Sequence, residues 1–174
     1  MTRDQKRIIK GYCWTTTGLG VVLGPGIDAA PLAATWIAGC VHLIKNSGKG
    51  FDEAEIASAV GTIVAGFGAW FVSGKVAQVV AAALVAGGLA GAGVSAGLTL
   101  IVGLLATLSL NATINALFTY RFMAACAQMI EDSDAAGMIL LKAFANQILH
   151  QLISLVEIPR DLGNTAKLMF NPIL

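Results

Sequence analysis

The chain contains an uninterrupted run of forty-five residues, 76–120, without a single Asp, Glu, Lys, Arg or His. A helix needs about twenty apolar residues to cross the roughly 30 Å hydrocarbon core of a bilayer. The run is therefore long enough for two crossings, and the cluster of small residues at 87–93 is a candidate turn near its middle. We expect this part of the chain to form a helical hairpin in a membrane.

The composition points to the same environment. The 174 residues are 56% hydrophobic and 12% charged, with a mean hydropathy of +0.76. A typical soluble domain is about 45–50% apolar and about 25% charged. Such a low charge density is too little to cover a solvent-facing surface of this size. The net charge of +1 provides no global field, so no nucleic-acid partner is expected.

Glycine and proline divide the chain into helices, and no alternating strand pattern is present. We expect one domain over residues 1–174, in which 1–50 form an N-terminal helix pair, 51–131 the Gly-rich apolar helices, and 132–174 the amphipathic C-terminal helices. The predicted fold class is all-α, a helical membrane bundle with a central Gly-rich apolar hairpin and a C-terminal amphipathic helix.

Local signals set the expected helix boundaries. A first helix should run from about Thr2 to Leu23, and a second should end near Lys45, before a break over residues 46–50. An uncharged third helix is expected over residues 56–74. Near the C-terminus, Pro159 is expected to end a long amphipathic helix, and a shorter amphipathic piece is expected over residues 160–170.

The distribution of basic residues predicts a topology. Cytoplasmic loops carry an excess of Lys and Arg, which puts the N-terminus and the loop containing Lys45 and Lys49 on one side. Lys75 and Arg121 then fall on the opposite side. In the alternative topology, the first two helices lie in the interface and only later helices cross.

Small residues recur at four-residue spacing in the apolar run. Gly87 and Gly91 form one such pair, and Gly93 and Gly97 form another. This spacing strips one helix face of side chains, so that a neighbouring backbone can approach closely. The pattern fits an oligomer interface and tight packing within one chain equally well.

A stripe of polar residues follows at strict four-residue spacing, namely Thr107, Asn111, Asn115 and Thr119. Amides inside an apolar helix are unfavourable unless they are hydrogen-bonded, so the stripe should face protein or water rather than lipid. An interhelical hydrogen-bonding seam is the favoured interpretation. The alternative is the lining of a pore that an oligomer encloses.

Four basic residues, Arg3, Lys6, Arg7 and Lys10, form a concentration of positive charge at the N-terminus. Beside an apolar segment, such residues are expected to contact anionic lipid headgroups. The simpler alternative is a solvated first helical turn.

No chemistry-bearing constellation accompanies these features. No nucleophile–base pair or pair of carboxylates can be assembled, so we expect neither an enzyme nor a cofactor. His42 and His150 lack a second ligand at helical spacing, and no metal is expected. Cys13, Cys40 and Cys126 are expected to be buried free thiols.

The order of elements resembles one bacterial family over residues 10–131. The resemblance is carried by Pro25-Gly26-Ile27-Asp28, by Gly48-Lys49-Gly50-Phe51, and by the Gly-rich region with Asn111 and Asn115. The family is the uncharacterised Gly-rich helical membrane domain that is associated with small Ras-like GTPases. The resemblance implies a bacterial inner-membrane accessory protein with a GTPase partner. This chain has no GTP-binding loop, so nucleotide hydrolysis would have to come from that partner.

Three hypotheses for function follow. The leading one is a non-enzymatic integral membrane protein that binds the lipid bilayer, forms a homo-oligomer and serves as an anchor, scaffold or membrane-shaping component. The second is an oligomeric pore-forming or channel protein lined by the polar stripe. The third is a soluble oligomer or lipid carrier in which the apolar hairpin is buried.

Overall fold

A computed structural model describes residues 1–23, 29–50, 54, 58, 61–63, 96–132 and 157–171. Every long regular element in these ranges is an α-helix, which confirms the all-α prediction for this part of the chain. The helices are α1 (Arg3–Val22), α2 (Ala29–Ser47), α3 (Ala96–Asp132) and α4 (Ile158–Phe170).

The ends of the first two helices follow from local hydrogen bonding. Thr2 caps α1 through a reciprocal capping box, in which its hydroxyl accepts from the Gln5 N–H at 3.2 Å and its own N–H donates to Gln5 Oε1 at 2.6 Å. Gly48 follows α2 with a positive φ of 71°, a conformation that glycine adopts without strain. The predicted ends near Leu23 and Lys45 are confirmed to within two residues.

The longest helix is α3, whose 37 residues span about 55 Å. It passes Arg121 without a break and ends at Asp132, with Glu131 and Asp132 in its last turn. The predicted turn at residues 87–93 lies outside the described residues. Of the predicted helix over 56–74, only residues 58 and 61–63 are described, and these are helical.

Two contacts show that α1 runs antiparallel to α3. The Met1 amino group pairs with Glu131 at 2.9 Å, whereas Gly20 at the other end of α1 packs against Ala112. In contrast, α2 runs parallel to α3. Trp36 of α2 contacts Thr119 of α3, and Cys40, further along α2, contacts Cys126, further along α3.

This arrangement corrects the predicted topology. Lys49, just after α2, donates a hydrogen bond to the carbonyl of Ile130 near the end of α3. Arg121 therefore lies towards the end of the bundle that also carries Lys49 and the N-terminus, rather than opposite them. Because the run over residues 76–120 contains no charge, no basic residue within it could indicate the direction of its helices.

The core lies where α1, α2 and α3 meet. Trp36 is 1% exposed and stacks on Phe122 with ring centroids 4.8 Å apart. All three cysteines are buried free thiols, as predicted, and Ile63 is also fully buried in this core. The largest fully buried side chains are Trp36, Phe122, Ile9, Leu43, Ile44, Ile63 and Met123.

The short helix α4 crosses two of the other helices. At its start, Asp161 pairs with Arg121 of α3 at 3.0 Å. At its end, the ring of Phe170 meets Trp14 of α1 edge-on with centroids 5.6 Å apart, and the Asn171 carbonyl accepts from Lys10 at 2.6 Å. Pro159 lies in the first turn of α4, where a missing N–H is harmless, so this helix begins two residues earlier than predicted.

No helix in the described part of the chain combines the length and hydropathy that a membrane crossing requires. Of the apolar hairpin predicted over residues 76–120, residues 96–120 are described, as part of α3, and residues 76–95 lie outside the described residues.

Candidate functional site

The charged residues of α1, α2 and α3 are gathered at one end of the bundle. We call this the charged end: residues 1–10 of α1, 45–49 at and beyond the end of α2, and 121–132 of α3. Contacts between the Met1 amino group and Glu131, and between Lys49 and Ile130, hold these segments together. Each of the three helices thus contributes its charges to the same end.

The opposite part of the bundle contains no Asp, Glu, Lys or Arg among its described residues. We call it the uncharged end: residues 11–22 of α1, 29–41 of α2 and 96–120 of α3. It also exposes large apolar side chains. Val22 is 80% exposed and Leu104 is 60% exposed, and Val21, Leu105 and Leu110 are exposed as well.

The polar stripe of α3 faces α1 inside the bundle. The side-chain amide of Asn111 donates to the Gly20 carbonyl at 2.8 Å, and that of Asn115 donates to the Thr16 carbonyl at 3.3 Å. Both asparagines are fully buried. In lipid or in a dry core, such bonds remove the penalty of a buried amide.

The remaining two members of the stripe differ in their surroundings. The Thr119 hydroxyl accepts from the indole N–H of Trp36 at 2.9 Å, so this end of the stripe joins α2 to α3. Thr107 is half-buried, at the level where α3 extends beyond α1. Asn111, Asn115 and Thr119 therefore make interhelical contacts within this chain, and the lining of an oligomeric pore stays a prediction.

Gly20 permits the close approach of α1 to α3. A Cβ atom at this position would lie 2.8 Å from the Cα of Ala112 and 2.9 Å from the Asn115 amide nitrogen. No Cβ atom is tolerated at such a distance from a backbone, so the two amide bonds of the seam depend on this glycine. The sequence pattern singled out other glycines. Gly87, Gly91 and Gly93 lie outside the described residues, and Gly97 lies within the first turn of α3.

The four N-terminal basic residues have different surroundings. Arg3 and Arg7 are exposed, whereas Lys6 and Lys10 are half-buried. Arg7 lines a cleft of about 510 Å³ between α1 and α2, in which Asp4 provides the opposite charge. Lys10 is directed to the Asn171 carbonyl, as described above.

Lys6 lines a second cleft, between α1, α3 and α4, with a volume of about 280 Å³. We call it the cationic cleft; it is lined by Met1, Lys6, Tyr120, Asn164, Lys167, Leu168 and Asn171. None of these lining residues is acidic, and its cations come from helices far apart in the sequence.

A buried ion pair holds α4 against α3. Arg121 has a side chain only 2% exposed, and it contacts Asp161 at 3.0 Å and Glu157 at 3.7 Å. Burial lowers the pKa of the Arg121 guanidinium, while the two carboxylates oppose that shift. An arginine remains protonated in such surroundings, so the cation is kept and needs its carboxylate partners.

The other side of α4 carries an apolar groove of about 180 Å³, lined by Trp14, Ala112, Ala116, Leu162, Ala166, Phe170 and their neighbours. Phe170 is 72% exposed, and Leu162 is exposed as well. The cationic cleft and the apolar groove thus flank α4 on opposite sides, with the groove next to the uncharged end.

Sequence reasoning missed the cationic cleft. Lys167 and Asn164 were assigned only to a short amphipathic helix, and no local spacing connects them with Lys6. Among the described residues, no group of three His, Cys, Asp or Glu side chains is placed to hold a metal ion.

Comparisons with protein-family models, with curated proteins and with solved structures give no match for this chain.

Proposed function

We propose that the protein is a non-enzymatic membrane anchor whose uncharged end enters the hydrocarbon of a bilayer. The observation that carries this proposal is the separation of the charged end from the uncharged end along one bundle. Because α1 runs antiparallel to α2 and α3, charges spread evenly along these helices would reach both ends of the bundle, yet the described residues carry them at one end only. A bilayer is an environment in which that separation is favourable.

The exposed side chains of the uncharged end support insertion. Transfer of a Val or Leu side chain out of water contributes about 1.5–3 kcal/mol when it is fully buried. Val22, Leu104 and Leu105 together offer several kcal/mol in this way. Residues 11–22 of α1 extend about 18 Å, which slightly exceeds half of the roughly 30 Å hydrocarbon core.

The position of α4 suits the interface between hydrocarbon and headgroups. This helix crosses the bundle beside the boundary between the two ends, where Arg121 follows Tyr120 in α3 and Lys10 precedes Gly11 in α1. Its apolar groove lies on the side of the uncharged end, and Trp14 and Phe170 lie at its rim. Amphipathic helices and aromatic rings occupy this level in membrane proteins.

Further parts of the proposal rest on the sequence. The glycines Gly87, Gly91, Gly93 and Gly97 are proposed to mediate self-association, so that the anchor acts as a homo-oligomeric scaffold. The resemblance to the Gly-rich domain associated with Ras-like GTPases supports a GTPase partner and a bacterial inner-membrane location. The bilayer crossing by the apolar hairpin predicted over residues 76–120 stays part of this proposal.

The test is extraction of membranes from expressing cells with alkaline carbonate. We expect the protein to stay in the membrane fraction, and we expect the double variant Leu104→Glu with Leu105→Glu to be partly released. A carboxylate in hydrocarbon is unfavourable by a few kcal/mol even after local rearrangement. The matched control adds two carboxylates to the charged end, through Asn46→Glu with Gln128→Glu, and should stay in the membrane.

The alternatives give different results in the same preparation. A protein that purifies without detergent as a defined oligomer would contradict the proposal and support the soluble lipid carrier. Release of a trapped dye from sealed vesicles would support the pore. An anchor leaves the vesicles sealed.

A further inference from the structure

We propose that the cationic cleft between α1, α3 and α4 binds a phosphate group, with Lys6 and Lys167 as its principal cations. The inference deepens the proposed function. The part of the proposal in which the phosphate belongs to a lipid headgroup rests on that function. The binding of phosphate itself does not.

The charge of the cleft is not compensated from within. Among the described residues, neither Lys6 nor Lys167 makes an ion pair, and no acidic residue lines the cleft. The Met1 amino group does have a carboxylate partner, since it lies 2.9 Å from Glu131. Two ammonium groups that share a cleft without an anion raise the local potential and favour a bound anion.

The neighbouring cleft between α1 and α2 does not share the uncompensated positive charge of the cationic cleft. The larger cleft between α1 and α2 contains Arg7, but Asp4 lies in the same lining. Its formal charges cancel. The cationic cleft alone combines two uncompensated lysines among the clefts described above.

Neutral hydrogen-bonding groups complete the site. Asn164, Asn171 and Tyr120 also line the cleft, and each has a neutral side chain that can donate a hydrogen bond. Phosphate oxygens accept from ammonium, amide and hydroxyl donors, and bonds to ionised partners are the stronger ones. A volume of about 280 Å³ accommodates a phosphate group together with the first atoms of an ester.

The location of the cleft suggests where the phosphate comes from. Residues 164, 167, 168 and 171 line it at three- and four-residue spacing, so they share one side of α4. Leu162, Ala166 and Phe170 line the apolar groove on the other side. With that groove towards the hydrocarbon, the cleft lies at the level of lipid phosphates.

The test measures phosphate binding and vesicle binding with the same proteins. Inorganic phosphate is titrated calorimetrically into the full chain in non-ionic detergent at constant ionic strength. Separately, the protein is floated with phosphatidylcholine vesicles with or without phosphatidic acid. The test variant is Lys6→Gln with Lys167→Gln, and the control is Lys45→Glu, which changes the net charge by the same amount at an exposed site of the charged end.

We expect the double glutamine variant to bind phosphate roughly tenfold or more weakly, because two charge-assisted hydrogen bonds are lost. The control and the conservative variant Lys6→Arg with Lys167→Arg should stay within about threefold of the wild type. Lys167→Glu alone changes an exposed position, so we expect it to fold as the wild type does and to weaken phosphate binding as well.

The two sources of phosphate give distinct results. If the double variant loses both phosphate and the preference for phosphatidic acid, the ligand is a lipid headgroup. If it loses inorganic phosphate but floats as the wild type does, the ligand is a soluble phosphate. If it matches the control in both measurements, the proposal is wrong. A wild type that floats with no vesicle contradicts the proposed function alone, and the calorimetric titration then decides about the cleft.

Discussion

Gly20 is the residue on which the contact between α1 and α3 depends most directly. Its missing side chain lets the Ala112 backbone and the Asn115 amide approach to distances that a Cβ atom does not tolerate. Gly18, one half-turn earlier in the same helix, has nothing within 4 Å of the position of a Cβ atom. The two glycines therefore provide a matched pair for measuring helix packing against helix propensity.

We predict that Gly20→Ala lowers the free energy of unfolding by about 1–3 kcal/mol, because the added methyl group forces the two backbones apart. Gly18→Ala should be neutral or stabilising by up to about 1 kcal/mol, since alanine is the better helix former. Chemical denaturation in mild detergent measures both. A variant of Gly20 as stable as that of Gly18 would contradict the close approach.

The Asn111 amide is predicted to stabilise the fold through the Gly20 carbonyl. Asn111→Leu should lower the free energy of unfolding by about 1–3 kcal/mol, because a buried carbonyl loses a hydrogen-bond donor. Thr113→Val is the control, since Thr113 is exposed and bonds only within its own helix, to the Ser109 carbonyl at 2.8 Å. Asn111→Leu combined with Asn115→Leu should leave vesicle permeability unchanged. Loss of a measurable conductance in that pair would support the pore instead.

The Cys126 thiol is predicted to be unreactive in the folded protein. Burial and the neighbouring Cys40 thiol at 3.6 Å raise the pKa of Cys126 well above its usual 9.0. The Cys126 thiol therefore keeps its proton in the folded protein at a pH where the same thiol loses it in the unfolded protein. Stability should be unaffected below about pH 9 and should fall as the pH rises further. Maleimide labelling at pH 8 should be slow before denaturation and rapid after it.

The sequence predicted the polar stripe of α3 but not the groups on α1 to which its asparagines donate hydrogen bonds. The four-residue spacing identified the polar face of α3. Burying an amide without a hydrogen-bond partner is unfavourable in free energy, which indicated that this face meets protein or water and not lipid. Neither argument identifies Thr16 and Gly20 as the acceptors, because backbone carbonyls carry no sequence signal. The small-residue spacing in the apolar run identified other glycines and not Gly20.

Among the elements, α4 has the clearest polar attachment. Its first turn brings Asp161 to the buried Arg121, and its last turn brings Phe170 to Trp14. The sequence predicted a short amphipathic helix near this position. It did not predict the docking, since Arg121 was interpreted as a residue at a membrane boundary and its partner lies forty residues later.

We predict that Asp161→Asn lowers the free energy of unfolding by about 2–3 kcal/mol, because a buried guanidinium loses its nearest carboxylate while Glu157 remains. Asp132→Asn, at the exposed end of α3, should change it by less than about 0.5 kcal/mol. Limited proteolysis should also cleave near α4 faster in the first variant. Equal stability of the two variants would show that the ion pair does not hold α4 in place.

In the whole molecule, the separation of charge is the property on which the proposed membrane anchoring depends. The uncharged run over residues 76–120 was visible in the sequence. The uncharged parts of α1 and α2 lie beside the uncharged part of α3 only because of the directions in which these helices run. That direction depends on contacts such as the Met1–Glu131 pair. The predicted topology failed at Arg121 because a run without charges gives no information about which way its helices point.

Insertion of the uncharged end is tested by measuring the depth of both ends of the bundle in the bilayer. A fluorophore attached to Val22→Cys or, separately, to Lys45→Cys is compared in vesicles, with the buried native thiols serving as an unlabelled background. We expect quenchers carried on lipid chains to act on position 22 and aqueous iodide to act on position 45. Equal quenching of both positions by iodide would contradict insertion of the uncharged end.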